Sequence, residues 1–158
     1  MIDRAAWLDA VDRSLARLKN MPGGLLPILH AIQEEVGYIP PESVPVIAEA
    51  LNLSRAEVHG VISFYHDFRS QPAGRHVVHV CRAESCQAVG AEALLAHASE
   101  RLGVDVHGTT ADGAVTLEPV YCLGNCALSP AIMVDRNLYG RLTAHRLDVM
   151  LDGLRGSG

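Results

Sequence analysis

The sequence is poor in aromatic residues, which make up 4% of its 158 positions, and it contains a single tryptophan. Its core must therefore be built mainly from Leu, Val, Ile and Ala. It also lacks any run of Lys or Arg, and its formal net charge is −5. A nucleic-acid-binding protein typically carries a basic stripe, so we expect no nucleic-acid partner. Hydrophobic residues at 49% and charged residues at 20% are typical of a globular protein.

No hydrophobic run is long enough to suggest a membrane span. The longest uncharged stretch, 119–134, is interrupted by polar residues and falls short of the roughly 20 apolar residues that a span needs. The N-terminal stretch MIDRAAWLDAVDRSLARLKN is amphipathic and carries three Asp, unlike a signal or transit peptide. We therefore expect a cytoplasmic protein with no direct membrane insertion. In that reducing compartment, paired cysteines are favoured as metal ligands or redox thiols over structural disulfides.

The N-terminal part carries the patterns of a helical bundle. Asp3 is a candidate N-cap for the first helix, a second helix stops at Gly37, and a third covers residues 42–51. Ser54 and Glu57 have the spacing of a capping box, which opens a fourth helix. The side chains expected to face the core of the first two helices are Trp7, Val11, Leu15, Leu18, Ile28, Leu29, Ile32 and Val36.

The periodicity changes at SQPAG (70–74), which predicts an N-terminal helical domain at 1–72 and a second domain at 73–158. The elements predicted for the second domain are, in order, a strand at 75–80, a helix at 88–102, strands at 104–110, 114–120 and 131–134, and a helix at 143–154. Asp112 and Gly113 form a hairpin signal, and Tyr139 with Gly140 a turn signal. The order β-α-β-β-β-α predicts an α/β fold with a thioredoxin-like sheet.

All four cysteines lie in two close pairs, Cys81 with Cys86 and Cys122 with Cys126, separated by the 35 residues 87–121. Both pairs come directly after predicted strands, so we expect them in loops. A rigid sheet can position such loops while their own backbone bends around a ligand. Two close pairs therefore predict that each loop supplies two thiolates to one centre.

The spacing leaves two chemistries open. Structural zinc takes four thiolates from pairs separated by two to four residues, and C-x4-C and C-x3-C lie at the wide end of that range. A [2Fe–2S] cluster also takes four cysteines and tolerates wider, unequal spacings. Thioredoxin-type catalysis needs C-x-x-C, which neither pair has, and two disulfides conflict with the expected compartment. Gly124 and Asn125 tolerate positive φ, so their loop can turn N–H groups toward sulfur, which favours iron–sulfur modestly.

No other motif predicts catalysis or nucleotide binding. A G-x-G-x-x-G after a strand and a Walker motif are both missing, so we expect flavin and nicotinamide sites on another chain and no turnover by this one. The eight histidines invite a Rieske interpretation, but four cysteines already complete the coordination, and each His is expected to be a surface or hydrogen-bonded residue. Ser63, Phe64 and Tyr65 suit either a docking surface or a structural link, and we favour the structural role.

Four segments together resemble one protein family: VISFYHDF (61–68), QPAGRHVVHVCRAESC (71–86), TTADGAVTLEPVYCLGNC (109–126) and SPAIMVD (129–135). The family is the small thioredoxin-like [2Fe–2S] subunit that accompanies the flavin-bearing subunit of NADH:quinone oxidoreductase, respiratory complex I. The same module occurs in NAD-reducing hydrogenases and in NAD-dependent molybdenum formate dehydrogenases. CRAESCQ (81–87) is most similar to the gamma subunit of the soluble formate dehydrogenases.

The resemblance implies one [2Fe–2S] cluster ligated by Cys81, Cys86, Cys122 and Cys126. It implies an electron-transfer subunit of a cytoplasmic NAD-dependent formate dehydrogenase, with an FMN- and NAD-binding flavoprotein subunit and a larger iron–sulfur and molybdenum subunit as partners. The equivalent subunit of NADH:quinone oxidoreductase or of an NAD-reducing hydrogenase is the alternative within the family. A zinc-stapled interaction module and a free shuttling ferredoxin are the alternatives from other classes.

Overall fold

The computed structural model describes residues 4–156, with side chains from Trp7 onward, so the candidate N-cap Asp3 lies outside the described residues. The chain divides into two compact units, Met1–Pro72 and Ala73–Gly158. Within the described residues, no helix is both long and apolar enough to cross a membrane.

The first unit consists of four helices: α1 (Arg4–Leu18), α2 (Leu25–Val36), α3 (Val44–Leu51) and α4 (Arg55–Phe64), with a 3-10 turn (Pro41–Ser43) leading into α3. Their ends follow the predicted signals. Gly37 adopts the left-handed conformation and donates its N–H to the Gln33 carbonyl, which ends α2. The capping box is present in both directions, because the Glu57 N–H donates to the Ser54 hydroxyl at 3.1 Å and the Ser54 N–H donates to the Glu57 carboxylate at 2.7 Å.

The core of this helical unit is mainly aliphatic, as the shortage of aromatic residues predicts. Seven of the eight side chains predicted to face the core of α1 and α2 are buried, and Leu18 is half-buried at its edge. Each fully buried Ile or Leu stabilises the fold by about 1.5–3 kcal/mol relative to an exposed one. The buried core comprises Trp7, Ala10, Val11, Leu15, Ile28, Leu29, Ile32, Val36, Ile39, Ile47, Ala48, Val58 and Phe68.

The second unit is a four-stranded mixed sheet with helices, which confirms the predicted α/β class. Its elements in chain order are β1 (His76–Cys81), α5 (Glu84–Ala88), α6 (Ala91–Leu102), β2 (Val115–Val120), a 3-10 turn (Cys126–Leu128), β3 (Ile132–Val134), β4 (Asn137–Tyr139) and α7 (Ala144–Arg155). The strand order is β2-β1-β3-β4, with β1 parallel to β2 and the other two pairings antiparallel. Its aliphatic core draws on the sheet, α6 and α7.

The parallel pairing of β1 with β2 is the feature that positions the cysteines. In this register Cys81 lies opposite Val120, so both strands end at the same edge of the sheet. The carboxyl ends of parallel strands meet at one edge because the crossover between them returns the chain to the start of the sheet. The first cysteine loop (residues 81–86) and the second cysteine loop (residues 122–129) therefore emerge side by side.

The predicted strand at 104–110 is wrong. This stretch makes a single isolated bridge, Thr109 with Thr116, and no regular ladder. The backbone turns at Gly108, whose N–H donates to the Asp105 carbonyl, and His107 has a φ of 68°, so the chain cannot extend there. The hairpin turn itself is present, since Gly113 has a φ of 65° and donates its N–H to Thr110.

Two short elements were not predicted. β4 lies where the sequence indicated a turn at Tyr139 and Gly140; the chain instead reverses just after β3, where Asp135 has a φ of 55°. A three-residue strand contains too few alternations to give a readable pattern. The short helix α5 was also missed, and Gly90, with a φ of 95°, separates it from α6.

Candidate metal centre

The first cysteine loop holds its two thiols inside the protein. Cys81 is the last residue of β1 and is 2% exposed, while Cys86 is 3% exposed. Both lie in a small apolar cluster with the buried Ala91 and Ala131. Cys86 was expected in a loop, but it belongs to the short helix α5, and its side chain makes a hydrogen bond with Cys81.

The second cysteine loop presents its thiols to solvent. Cys122 and Cys126 are exposed, and Cys122 itself has a φ of 101°. Gly124, with a φ of 74°, donates its N–H to the Cys122 sulfur at 3.4 Å. The predicted turning of this loop toward sulfur is thus present, and glycine makes it accessible without steric cost.

Neighbouring groups shift the pKa values of two of the thiols, Cys81 and Cys126. Burial, the largest effect, raises the pKa of the Cys81 thiol, but hydrogen bonds from the Ala83 amide, from Cys86 and from the amides of Leu123 and Cys122 together lower that pKa below its ordinary value. The pKa of Cys126 is raised, first by its hydrogen bond with Cys122 and then by the charge of that thiol. These hydrogen bonds favour the thiolate form of Cys81. Some of them come from backbone amides of the second cysteine loop.

The four thiols stand as two contacting pairs, Cys81 with Cys86 and Cys122 with Cys126. Over residues 4–156, no three His, Cys, Asp or Glu side chains are grouped so as to hold one metal ion. A [2Fe–2S] cluster takes two thiolates on each of its irons and accepts hydrogen bonds at its sulfurs. Two thiol pairs on adjacent loops, with amides directed at sulfur, fit that donor requirement.

Polar residues missed by the sequence reasoning connect the site. Ser85 and Ser129 lie on different loops, yet their hydroxyl oxygens are 2.8 Å apart. Arg82, next to Cys81, donates to both carboxylate oxygens of Glu92, at 2.8 and 2.9 Å. Tyr121, next to Cys122, is 73% exposed. Nothing in a single sequence indicates the serine contact, because 44 positions separate its partners.

Histidines of the second unit make hydrogen bonds with carboxylates. His76 lies 2.9 Å from Asp135, and His97 lies 2.8 Å from Asp148. Phe64 and Tyr65 are both exposed at the end of α4, where their rings meet edge to face at 5.1 Å.

Four thiols on two loops at one sheet edge are the donor set of thiolate-ligated metalloproteins, among which iron–sulfur proteins and structural zinc proteins are the two classes at issue. The model of the thioredoxin-like [2Fe-2S] ferredoxin family matches residues 11–155. The chain belongs to this family, and its cofactor is accordingly one [2Fe–2S] cluster.

Curated relatives extend over nearly the whole chain. A subunit of NADH-quinone oxidoreductase from Pseudomonas aeruginosa is 33% identical over 92% of this chain and 83% of its own length. A subunit of NADH-quinone oxidoreductase from Rhizobium meliloti is 34% identical over 94% of this chain and 89% of its own. The HndA subunit of the NADP-reducing hydrogenase from Solidesulfovibrio fructosivorans is 33% identical over 85% of this chain and 78% of its own.

Among solved structures, NAD+-reducing [NiFe]-hydrogenase in the H2-reduced state matches with a TM-score of 0.71 at 24% identity. The match covers 85% of this chain and 22% of that chain. At this identity the match supports the fold alone, and it spans only part of a longer polypeptide.

Proposed function

We propose that the [2Fe–2S] cluster is held by all four thiols, Cys81, Cys86, Cys122 and Cys126, and that the chain is an electron-transfer subunit of an NAD-linked oxidoreductase complex. The observation that carries this proposal is the parallel pairing of β1 with β2, which brings two contacting thiol pairs to one edge of the sheet. When bound, such a cluster supplies reversible one-electron transfer.

The two cysteine loops have different roles in the proposed site. The buried thiols of Cys81 and Cys86 hold one side of the site in an apolar setting. The exposed Cys122 and Cys126 leave the other side near the surface, which an electron-transfer partner needs to approach. Amides of Ala83, Leu123 and Gly124 supply hydrogen bonds to sulfur.

The names of the relatives support the proposal of an NAD-linked oxidoreductase complex. Two are named as subunits of NADH-quinone oxidoreductase and one as a subunit of an NADP-reducing hydrogenase. We infer that the partners of this chain are an FMN- and NAD-binding flavoprotein subunit and a larger catalytic iron–sulfur subunit. We further infer a cytoplasmic location and two domains, a helical one at 1–72 and a thioredoxin-like [2Fe–2S] one at 73–158.

Within this kind of complex, we propose an NAD-dependent molybdenum formate dehydrogenase. The support is the resemblance of CRAESCQ (81–87) to the gamma subunit of the soluble formate dehydrogenases. The names of the relatives favour a second candidate, the equivalent subunit of NADH-quinone oxidoreductase or of a hydrogenase.

The cofactor and its ligands are tested on the full chain, purified anaerobically. We expect about two irons and two labile sulfides per chain and, after dithionite reduction, a low-temperature EPR signal of spin one-half approaching one spin. Each Cys→Ser variant is expected to lose or alter that signal. A variant with wild-type iron content and spectrum would remove its residue from the ligand set, and a colourless chain holding one zinc would favour the zinc staple.

A second experiment identifies the oxidoreductase complex to which the subunit belongs, using the intact complex. A tag on the chain should recover a flavoprotein at fixed stoichiometry, and the recovered complex should reduce NAD+ with formate. Reduction with hydrogen, or NADH oxidation by quinone without formate activity, would assign the subunit to the second candidate. Recovery of the chain without any flavoprotein would favour a free ferredoxin.

A further inference from the structure

Two serine hydroxyls connect the cysteine loops. Ser85 belongs to α5 in the first loop, and Ser129 follows the 3-10 turn of the second. Their oxygens lie 2.8 Å apart, and both hydroxyls reach the Cys126 carbonyl, from Ser129 at 2.8 Å and from Ser85 at 3.2 Å. The pair is half-buried, so water competes only partly for these bonds.

Ser129 also contacts a sulfur. The Cys86 thiol donates to the Ser129 hydroxyl oxygen, with 3.5 Å between Sγ and Oγ. In this protonated arrangement Ser129 accepts from sulfur and is free to donate its own hydrogen to Cys126. The sulfur of Cys86 is therefore already within hydrogen-bond reach of a hydroxyl that rotates freely about its C–O bond.

A cysteine that ligates iron does so as a thiolate, so cluster binding would change the hydrogen-bonding role of the Cys86 sulfur. A thiolate has no hydrogen to donate and becomes an acceptor, so an unrotated Ser129 would present lone pairs to a negative sulfur. If Ser129 turns its hydrogen to Cys86, Ser85 can donate a three-centre hydrogen bond to the Ser129 oxygen at 2.8 Å and to the Cys126 carbonyl at 3.2 Å. The two hydroxyl hydrogens then serve three acceptors: the Cys86 sulfur, the Ser129 oxygen and the Cys126 carbonyl.

We propose that Ser129 donates a hydrogen bond to the ligating Cys86 sulfur and raises the reduction potential of the cluster, and that Ser85 is the positioning residue that frees Ser129 to do so. This inference rests on the proposed function, because it requires Cys86 to be a cluster ligand. A donor at sulfur stabilises the more negative, reduced state more than the oxidised state, so removing the donor lowers the potential.

The test is an EPR-monitored redox titration of the full chain carrying S129A, S129T or S85A. S129A is expected to favour the oxidised form by up to about tenfold, a negative shift of up to about 59 mV for one electron. S129T keeps a hydroxyl and should restore the wild-type potential. S85A should give a smaller negative shift, because the Cys126 carbonyl then competes for the Ser129 hydrogen. The matched control is S99A, which removes the hydrogen bond from Ser99 to the Val104 carbonyl in the same unit and should not move the potential.

Resonance Raman spectroscopy gives an independent readout. Exchange into D2O should shift the Fe–S stretching bands of wild type and S129T more than those of S129A, because one exchangeable hydrogen at sulfur has been removed. A wild-type potential in a cluster-bearing S129A variant, or equal D2O shifts in all three proteins, would overturn the inference.

The outcomes separate the inference from the function beneath it. If S129A does not retain a cluster, S85A and S129T carry the test, and wild-type potential in S85A overturns the positioning role. If S129T then departs from the wild-type potential, the donor role of Ser129 is overturned as well. A wild-type chain without a spin signal would instead overturn the proposed function and the inference with it.

Discussion

The two cysteine loops follow neighbouring parallel strands, but they hold their thiols in opposite ways. The first loop folds into the helical turn α5 and buries Cys81 and Cys86 among alanines. The second loop relies on left-handed backbone at Cys122 and Gly124 and leaves its thiols exposed. One site can thus combine a side anchored in the protein interior with a side that a partner can approach. Two cysteine pairs of similar spacing therefore differ in burial, so cysteine spacing alone does not predict which thiols are buried.

The largest expected contrast lies in thiol reactivity. In the cluster-free chain, iodoacetamide should modify Cys122 and Cys126 more than about a hundredfold faster than Cys81 and Cys86, because buried thiols react only after local opening. Mass spectrometry of peptides from time points at limiting reagent measures the four rates. In guanidinium chloride the four rates should converge. Labelling of Cys86 at the rate of Cys122 in the folded chain would remove the contrast between the loops.

A second prediction concerns what holds the exposed loop in place. A Cβ at Gly140 would lie 2.6 Å from the Leu128 Cβ and 2.7 Å from the Leu128 carbonyl oxygen, so G140A must displace the second loop. We expect a loss of about 1–3 kcal/mol in the free energy of unfolding, measured by urea denaturation of the cluster-free chain.

The matched control for G140A is G153A in α7, where an added Cβ meets nothing within 4 Å. Alanine should raise helix propensity there and stabilise the chain by about 0.5–1 kcal/mol. If G140A were as stable as wild type, the second loop would not depend on this close approach.

The smallest expected effect is on the pH dependence of stability, and it tests the ion pair between Arg82 in the first loop and Glu92 in α6. The hydrogen bond from Arg82, followed by the charge of that guanidinium, lowers the pKa of Glu92 below its ordinary value of 4.5. Because the folded-state pKa is the lower one, the pair stabilises the chain above pH 4.5, and this contribution is lost as the pH falls through the lowered pKa. Both side chains are partly exposed to solvent, which screens the pair, so the effect is small.

The measurement is the Tm of the cluster-free chain between pH 7 and pH 3. E92Q should have a lower Tm than wild type at neutral pH and should approach it at the acid end. E49Q, on the exposed side of α3, serves as the control variant. A constant difference between E92Q and wild type at every pH would contradict an ionic attachment.

Much of the helical unit is readable from its sequence because its signals are local. The capping box of Ser54 and Glu57 and the stop at Gly37 each act within a few residues, and the structure shows both. The second unit is less readable where conformation depends on distant neighbours. The stretch 104–110 has the composition of a strand, yet it turns at Gly108, and β4 exists only because β3 offers it a partner.

The sequence by itself determined the number and the pairing of the thiols: four cysteines in two close pairs, each pair beginning at or just after the end of a strand. Those properties follow from residue types and short-range patterns. Only the tertiary structure decided that Cys86 is buried while Cys126 is exposed, and that Ser85 meets Ser129 across 44 positions. The physical reason is that parallel strand pairing brings together loops far apart in the chain, and the sequence of neither loop encodes the other's position.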